Sequence, residues 1–472
     1  MIKLALPTGD LRSPAAEVLE SLGLNVEGYG EGSRQYRLNV AGQEDVLVRV
    51  FRERDIPMQV ALGNYDLGIT GLAWIRELQA RFPQRLLVPL ADLKIGQSAL
   101  FAATAGGASI GSFYPARIAT EYPNLAEAFA RSARLPRYRV QAVHGAADAY
   151  PPEDADIVIV VAADEAALQE TGIEPVHHLL DTSAWLVANA QSLAGKDMTA
   201  VLSRMQEAAV GTGNGALRLP SPVRGNGARP AAREPRTVLR LAIPDGHQQR
   251  HVYGALLKAG LTFEGYEEKT YVRRPRSPID GLEVKVIRPQ DMPQLVALGE
   301  FDVAITGRDL LNEHLFQFPS SPVHEVVDLQ VSQYNISCVV DGNLPAEDLA
   351  GAVEYWRSQG KRSLTVAAEF PATADHYARS RHFWRYQVIP IAGASEGFVP
   401  EDAEMLIEGT ETGRTIAENN LKVIEHIDRS TTAFIARSDA VLEGKRREVY
   451  EELRGALAAS VEQGSRSREQ GS

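Results

Sequence analysis

The stretch of this sequence richest in chemistry runs from Glu404 to Thr415. Ala403-Glu404-Met405-Leu406-Ile407-Glu408-Gly409-Thr410 reads as a strand, and Glu411-Thr412-Gly413-Arg414-Thr415 then turns into the helical Ile416-Ala417-Glu418-Asn419-Asn420. A glycine between hydroxyl residues, followed by an arginine at a helix start, offers backbone N–H groups, two hydroxyls and a guanidinium to a phosphate. Glu404 and Glu408, just upstream, are placed to accept from sugar hydroxyls or to reach a metal-bound water. The same pattern also describes a plain capped turn between strand and helix, and both readings stand at this level.

Two arginines sit at comparable junctions. Arg288 opens Arg288-Pro289-Gln290-Asp291, between a strand Val284–Ile287 and a helix capped by Asp291 and stopped at Gly299, and Arg308 follows the strand Val303–Gly307. The planar guanidinium suits phosphate or carboxylate, although single arginines at turns are often salt-bridge partners. The single cysteine, Cys338, lies in the apolar run Ile336–Val340 and reads as core. His177 and His178 are adjacent and would face opposite ways, and no Cys/His spacing matches a structural zinc site.

These residues belong to a domain written twice. Leu4–Gly9 recurs as Leu241–Gly246, and Asp55–Gly71 matches Asp291–Gly307 at 10 of 17 positions with an offset of 236. Ala119–Pro123 against Ala367–Pro371, and Pro152–Ala155 against Pro400–Ala403, have an offset of 248, so the second copy gains 12 residues between Gly307 and Ala367. The reading is a first domain at 1–208, a Gly/Pro/Arg-rich linker at 209–236, a second domain at 237–463 and a polar, disordered tail at 464–472. Within each copy, short apolar strands alternate with amphipathic helices, which predicts α/β layering with mostly parallel sheets.

The repeat acts as an internal control. Thr412-Gly413-Arg414-Thr415 falls on Asp164-Glu165-Ala166-Ala167, which removes the glycine, hydroxyls and cation and adds two carboxylates, with Asp164 left as a helix cap. Arg52 matches Arg288, but Leu72-Ala73 replaces Arg308-Asp309. Only the second copy retains a turn suited to an anion.

A net charge of −12 with 44% hydrophobic residues describes a soluble globular chain and argues against a sequence-independent grip on nucleic acid. Met1–Pro7 reads as a strand rather than a signal peptide, and no apolar run is long enough to cross a membrane, so a cytoplasmic location is expected.

In ordered succession, Arg288–Pro293, Asp302–Asp309 and Glu404–Thr415, together with Ile118–Leu125 of the first copy, resemble motifs of the short form of ATP phosphoribosyltransferase, the first enzyme of histidine biosynthesis. The resemblance implies two tandem two-lobed domains like type II periplasmic binding proteins, with the site in a cleft and Ile118–Leu125 as a hinge into the second lobe. It implies transfer of a phosphoribosyl group from phosphoribosyl pyrophosphate to N1 of ATP, with Mg2+ leaving on pyrophosphate. On it Glu408, Arg288 and Arg308 would be catalytic, while Glu404, Glu411, Thr412, Gly413, Arg414 and Thr415 would hold the 5-phosphate and ribose. Gly246, His247, Gly307, Asp309 and Glu396 would meet the nucleotide. After the first strand of each copy, Thr8-Gly9-Asp10-Leu11 and Asp245-Gly246-His247-Gln248 offer only His247 where the family carries a basic residue. No continuation into the long form's regulatory domain is expected.

The duplication then reads as an intramolecular pseudo-dimer, open to further pairing of chains, with the second copy catalytic. The rival reading is a non-catalytic nucleotide- or phosphoribosyl-binding module or a regulatory subunit.

Overall fold

Each half of the chain builds one large sheet in each of two lobes, the second half adding a two-stranded sheet of Glu264–Tyr266 and Tyr271–Arg276, and the chain crosses between the lobes twice. The computed structural model describes residues 1–83, 86–207, 215–223, 236–410 and 413–469. In the first half the strands order as Arg37–Val40, Gln43–Phe51, Ile2–Pro7, Leu67–Gly71, Ala184–Asn189 and Leu87–Asp92 in one lobe. The other lobe runs Ile173–Thr182, Ser98–Ala105, Ile157–Ala162, Ala116–Thr120 and Tyr138–Ala142. The second half repeats both orders except for the edge strand Arg37–Val40, with Leu282–Ile287, Leu239–Pro244, Val303–Gly307, Thr432–Arg437 and Val323–Asp328 in its first lobe. Its second lobe is built from Tyr386–Pro390, Leu364–Ala368, Met405–Thr410, Tyr334–Asp341 and Leu421–Ser430. The sheets are mixed rather than mostly parallel: in each large sheet a parallel core of three strands is joined by antiparallel strands, because the chain returns from the other lobe in the opposite direction.

The strands are apolar because they are buried on both faces: Leu239–Pro244 and Val303–Gly307 are buried throughout, as parallel strands covered by helices require. The inserted residues of the second copy form the helix Leu349–Ser358, where the first copy has a short turn at Ile110–Ser112. Cys338 is fully buried, in the core of the second lobe. No helix among the described residues is long and apolar enough to cross a membrane.

Several expectations change. Ile118–Leu125 is not a hinge: it is the strand Ala116–Thr120 turning into the helix Pro123–Ser132 inside one lobe. The crossings between lobes lie at 93–97 and Ser183, and at 329–333 and Thr431, because only there do the strands on either side belong to different sheets. Asp291 does not cap its helix; its carboxylate accepts from His144 Nδ1 at 2.7 Å and Tyr150 OH at 2.9 Å, both in the first half. The linker falls largely outside the described residues. Its segment 215–223 lies on the first half, with Arg218 N donating to Leu179 O at 2.7 Å and Val223 N to Ala133 O at 2.9 Å. Backbone helix Gly444–Glu469 runs into the stretch read as a disordered tail.

The halves touch lobe to opposite lobe. One core joins Phe51 and Tyr65 of the first half to Phe398 and Leu406 of the second, with Phe51 ring centroids 5.0 Å from Tyr65 and 4.6 Å from Phe398. Another joins Tyr150 and Val158 to Ile287, Met292 and Phe301. Each such buried aromatic contributes about 1.5–3 kcal/mol through burial. The repeated Pro-Glu-Asp-Ala motif marks both contacts. Glu153 and Asp154 bind Arg274, Lys285 and Arg240, while Glu401 and Asp402 bind Arg37, Arg49 and Lys3.

Candidate active site

Between the two lobes of the second half lies a cleft of about 410 Å³, lined by Asp245–Gln248, Arg288–Gln290, Asp309, Tyr334, Glu369, Phe370, Glu408 and Gly409 among others. The turn after the first strand positions one wall. Gly246 has φ +68°, a conformation that favours glycine, and it starts the helix His247–Lys258. Asp245 is wholly buried, and its carboxylate holds Arg273 at 3.0 Å and Arg288 at 3.2 Å. Arg288 therefore stands in the cleft with its Nε lacking a hydrogen-bond partner, as does the buried Oε1 of Gln248. Buried polar atoms without partners are uncommon, and these two belong to residues that line one cleft.

The opposite wall is acidic. Glu408 pairs with Ser395 Oγ, and burial, then Glu369 and Glu396, push its carboxyl well above the usual carboxylate range. Glu369 and Glu396 are raised for the same first reason, burial; at Glu369 the Arg52 guanidinium of the first half opposes the rise. On the wall that carries Arg288, Asp309 is also raised by burial although Tyr334 and Ser430 donate to it, the latter at 2.7 Å. A cleft holding this many carboxyls of raised pKa binds protons readily and presents hydroxyl-binding groups in a low-dielectric setting.

The cleft shares Arg288, Gln290, Leu310, Glu369 and Phe370 with a larger cavity of about 820 Å³ between the halves, to which the first half adds Arg52, Arg54, Glu121 and His144. Arg288 reaches Gly145 of the first half, where a Cβ would stand 3.1 Å from its Nε; Arg52 meets Gly393 at the same 3.1 Å. Glu53 and Asp55 border this region, both raised by burial, to about 7 and about 6.

Of the residues singled out from sequence, Arg288, Gly246, His247, Asp309 and Glu408 meet in the cleft. Gly307 lies beneath it: a Cβ there would sit 2.2 Å from Asp309 Oδ1 and 2.9 Å from Gln248 Nε2, so the glycine lets both side chains approach. Glu396 is buried behind Glu408 rather than in the lining. Gly413 has φ +67° and heads the helix Arg414–Glu418; Arg414 pairs with Glu418 at 2.6 Å, Thr415 is half-buried, and Glu411 and Thr412 lie outside the described residues. Asn419, closing that helix, binds the first half through Tyr36 N at 2.8 Å and Arg34 O at 3.0 Å.

Two of the residues lie outside the cleft lining. Arg308 turns from the cleft to Glu325 at 2.7 Å and Asp328 at 3.7 Å, where two carboxylates compete for it. Glu404 sits at the start of its strand, away from the turn, bonding Lys361 and, at 2.7 Å, Thr365 N. Asp156 does the same for Arg117 N at 2.8 Å, so this carboxylate ties neighbouring strands in both copies. Sequence reasoning missed Gln248, Glu369 and Tyr334, and the first-half residues Arg52, Arg54 and His144. The Glu at Glu121 and Glu369, repeated in the motif ahead of Pro123 and Pro371, was a usable signal.

The first half's own cleft is built differently. Leu11 and Gly96 stand where the second half has Gln248 and Ser332, and Leu11 packs directly on Gly96, its Cδ2 2.4 Å from where a Cβ would be. Val160 replaces Glu408.

The family model for ATP phosphoribosyltransferase matches residues 52–207 and 288–458. An ATP phosphoribosyltransferase from Rubrobacter xylanophilus is 31% identical over 236 residues, covering 48% of this chain and 96% of that protein. One from Thermotoga petrophila is 28% identical over 206 residues, 43% of this chain and 84% of that protein. Against one from Rhodopirellula baltica, 29% identical over 43% of this chain, the chain spans 62% of the relative's length. Among solved structures, the HisG:HisZ complex of ATP phosphoribosyl transferase from Thermotoga maritima matches 44% of this chain and 98% of its own with 22% identity and a TM-score of 0.38.

Proposed function

Because this chain belongs to the ATP phosphoribosyltransferase family, we propose that its second half transfers a phosphoribosyl group from phosphoribosyl pyrophosphate to N1 of ATP, supported by the first half. The observation that carries this reading is the second-half cleft itself, where Arg288 and Gln248 hold partnerless polar atoms beside Glu408, whereas the first half has Leu11 and Val160 in place of Gln248 and Glu408.

In the reaction, the N1 lone pair of adenine forms a bond to C1 of the ribose as the C1–O bond to pyrophosphate breaks, with inversion. N1 carries no proton, so no base is needed for attack. The residues align two substrates and offset the charge of the leaving group. Glu408 and Glu369 accept from ribose hydroxyls, the turn at Gly413–Thr415 holds the 5-phosphate, and Arg288 meets pyrophosphate. The nucleotide's phosphates extend into the cavity between the halves, toward Arg52 and Arg54. The two halves act as a dimer within one chain, each supporting the other's lobes.

Magnesium enters this reading on the pyrophosphate. Among the described residues no group of three or more His, Cys, Asp or Glu side chains is arranged to hold a metal ion, so the donor set does not fit a protein-caged ion.

The test is pyrophosphate release by the full chain given ATP and phosphoribosyl pyrophosphate together. Gly413→Glu is expected to abolish it, since the new side chain is strained at φ +67° and repels phosphate. Full activity in that variant, or substrate binding without any release in the parent chain, refutes the assignment; the second outcome favours a binding module.

A further inference from the structure

The first half keeps a cavity of its own. Beside its lobe crossing lies a space of about 650 Å³, lined by Asp92, Lys94, Phe101, Asp164, Glu165, His178, Asp181 and Trp185 among others. It shares no lining residue with the cleft of the second half or with the cavity between the halves.

Four features give it a chemical character. Of its four carboxylates, Asp92 is held by Lys94 at 2.6 Å and Asp181 by Arg218 and His178, each at 2.8 Å, which leaves Asp164 and Glu165 to face a ligand, the reverse of what a phosphate needs. Two aromatic rings, Phe101 and Trp185, stand in the same wall. Trp185 is more than nine-tenths buried, and its indole N–H has no acceptor. The cavity is also held in shape: Arg76 binds Gly215 O at 2.9 Å and Arg218 binds Asp181 at 2.8 Å, so segment 215–223 straps both lobes. In the second half Ser337, Thr412, Gly413 and Ala433 replace Phe101, Asp164, Glu165 and Trp185, so these features belong to the first copy alone.

We propose that this cavity binds a small organic cation that also carries a hydrogen-bond acceptor, of the size and charge pattern of a basic amino acid. The Asp164 and Glu165 carboxylates and the Trp185 ring recognise the ammonium or guanidinium. The acceptor satisfies the Trp185 N–H. The second half handles anions and the first a cation, in cavities that share no lining residue.

The test is calorimetric titration of the full chain with L-arginine, with agmatine (cation without carboxylate), with L-citrulline (carboxylate without the guanidinium) and with inorganic phosphate. Arginine is expected to bind one equivalent, at least tenfold tighter than citrulline and several-fold tighter than agmatine, and phosphate is expected not to compete. Glu165→Lys, an exposed change, should weaken arginine at least fivefold, and Trp185→Phe should do so while keeping the ring. Glu408→Gln should leave arginine binding unchanged, which separates this site from the transferase cleft. No arginine binding, equal binding of citrulline, competition by phosphate, or arginine affinity indifferent to Glu165→Lys overturns the proposal. None of these outcomes depends on whether pyrophosphate is released.

Discussion

Asp154 and Asp402 occupy the same position in the two copies and should respond unequally to the same substitution. Asp154 of the first half receives Arg240 at 2.7 and 3.0 Å and Lys285 at 2.7 Å, all three side chains being almost wholly buried. Burial pushes its carboxyl up, but the hydrogen bonds and charges of Arg240 and Lys285 outweigh that and hold it below the ordinary range. At Asp402, burial wins: Tyr65 at 2.7 Å and Lys3 at 3.6 Å pull down less than burial and Glu401 push up. Asp154→Asn leaves two buried cations short of a counter-charge, a loss of 3–5 kcal/mol for typical buried pairs. Lys285 keeps Glu153 at 2.9 Å and Arg240 keeps Glu300 O at 2.6 Å, which puts the expectation near the low end, about 3 kcal/mol. At 2–4 °C per kcal/mol for a unit of this size, the melting temperature falls by roughly 6–12 °C. Asp402→Asn removes a charge that burial disfavours and should change stability by no more than about 1 kcal/mol. Calorimetry of the full chain at pH 7.5 makes the comparison. Since the Asp154 carboxyl is lowered, its contribution is present above the unfolded value and lost as pH falls through the folded one, so the gap between variants should narrow below about pH 4. Equal losses from the two variants, or a gap that widens in acid, would refute the reasoning.

Glu53, raised by burial from 4.5 to about 7, takes up a proton on folding between those values, so its contribution lowers stability as pH rises. Glu53→Gln keeps the bond to Gly71 N and should raise stability at pH 8 by up to about 3 kcal/mol while doing little at pH 5, as melting curves at the two pH values will show. Glu408→Gln should leave the melting temperature near the parent's yet raise KM for phosphoribosyl pyrophosphate about tenfold, the loss of one hydrogen bond to the ribose. Glu404→Gln should do the reverse, destabilising by about 1–2 kcal/mol with turnover kept, measured by steady-state pyrophosphate release. Glu313 accepts from Ala372 N, Thr373 N and Thr373 Oγ1, each at 2.8 Å, joining the lobes at a helix start as Glu77 does through Asn124 N and Leu125 N in the first half. Glu313→Gln should cost about 1–2 kcal/mol in denaturant titration.

The doubling of the domain, its α/β layering, the buried cysteine strand and the turn at Gly413 were all legible in one dimension. Each is written in local pattern: apolar runs buried on both faces, glycine where φ is positive, and motifs repeated at constant offset. Asp164 as a helix cap was equally local, and it accepts from Ala167 N at 2.8 Å. Residue type also brought Arg288 and Glu408 to notice, though not their company. Which way Arg308 turned was decided by Glu325 and Asp328 on a neighbouring strand, and Glu404 was claimed by Thr365 and Lys361. Asp291, placed by sequence as a cap, went instead to His144 and Tyr150, 147 and 141 residues away. Local pattern thus determined the elements and the inventory of chemistry. Partners came only with the tertiary structure, because the strongest claims on a buried charge are made by whichever opposite charge or donor the packing of distant lobes leaves beside it.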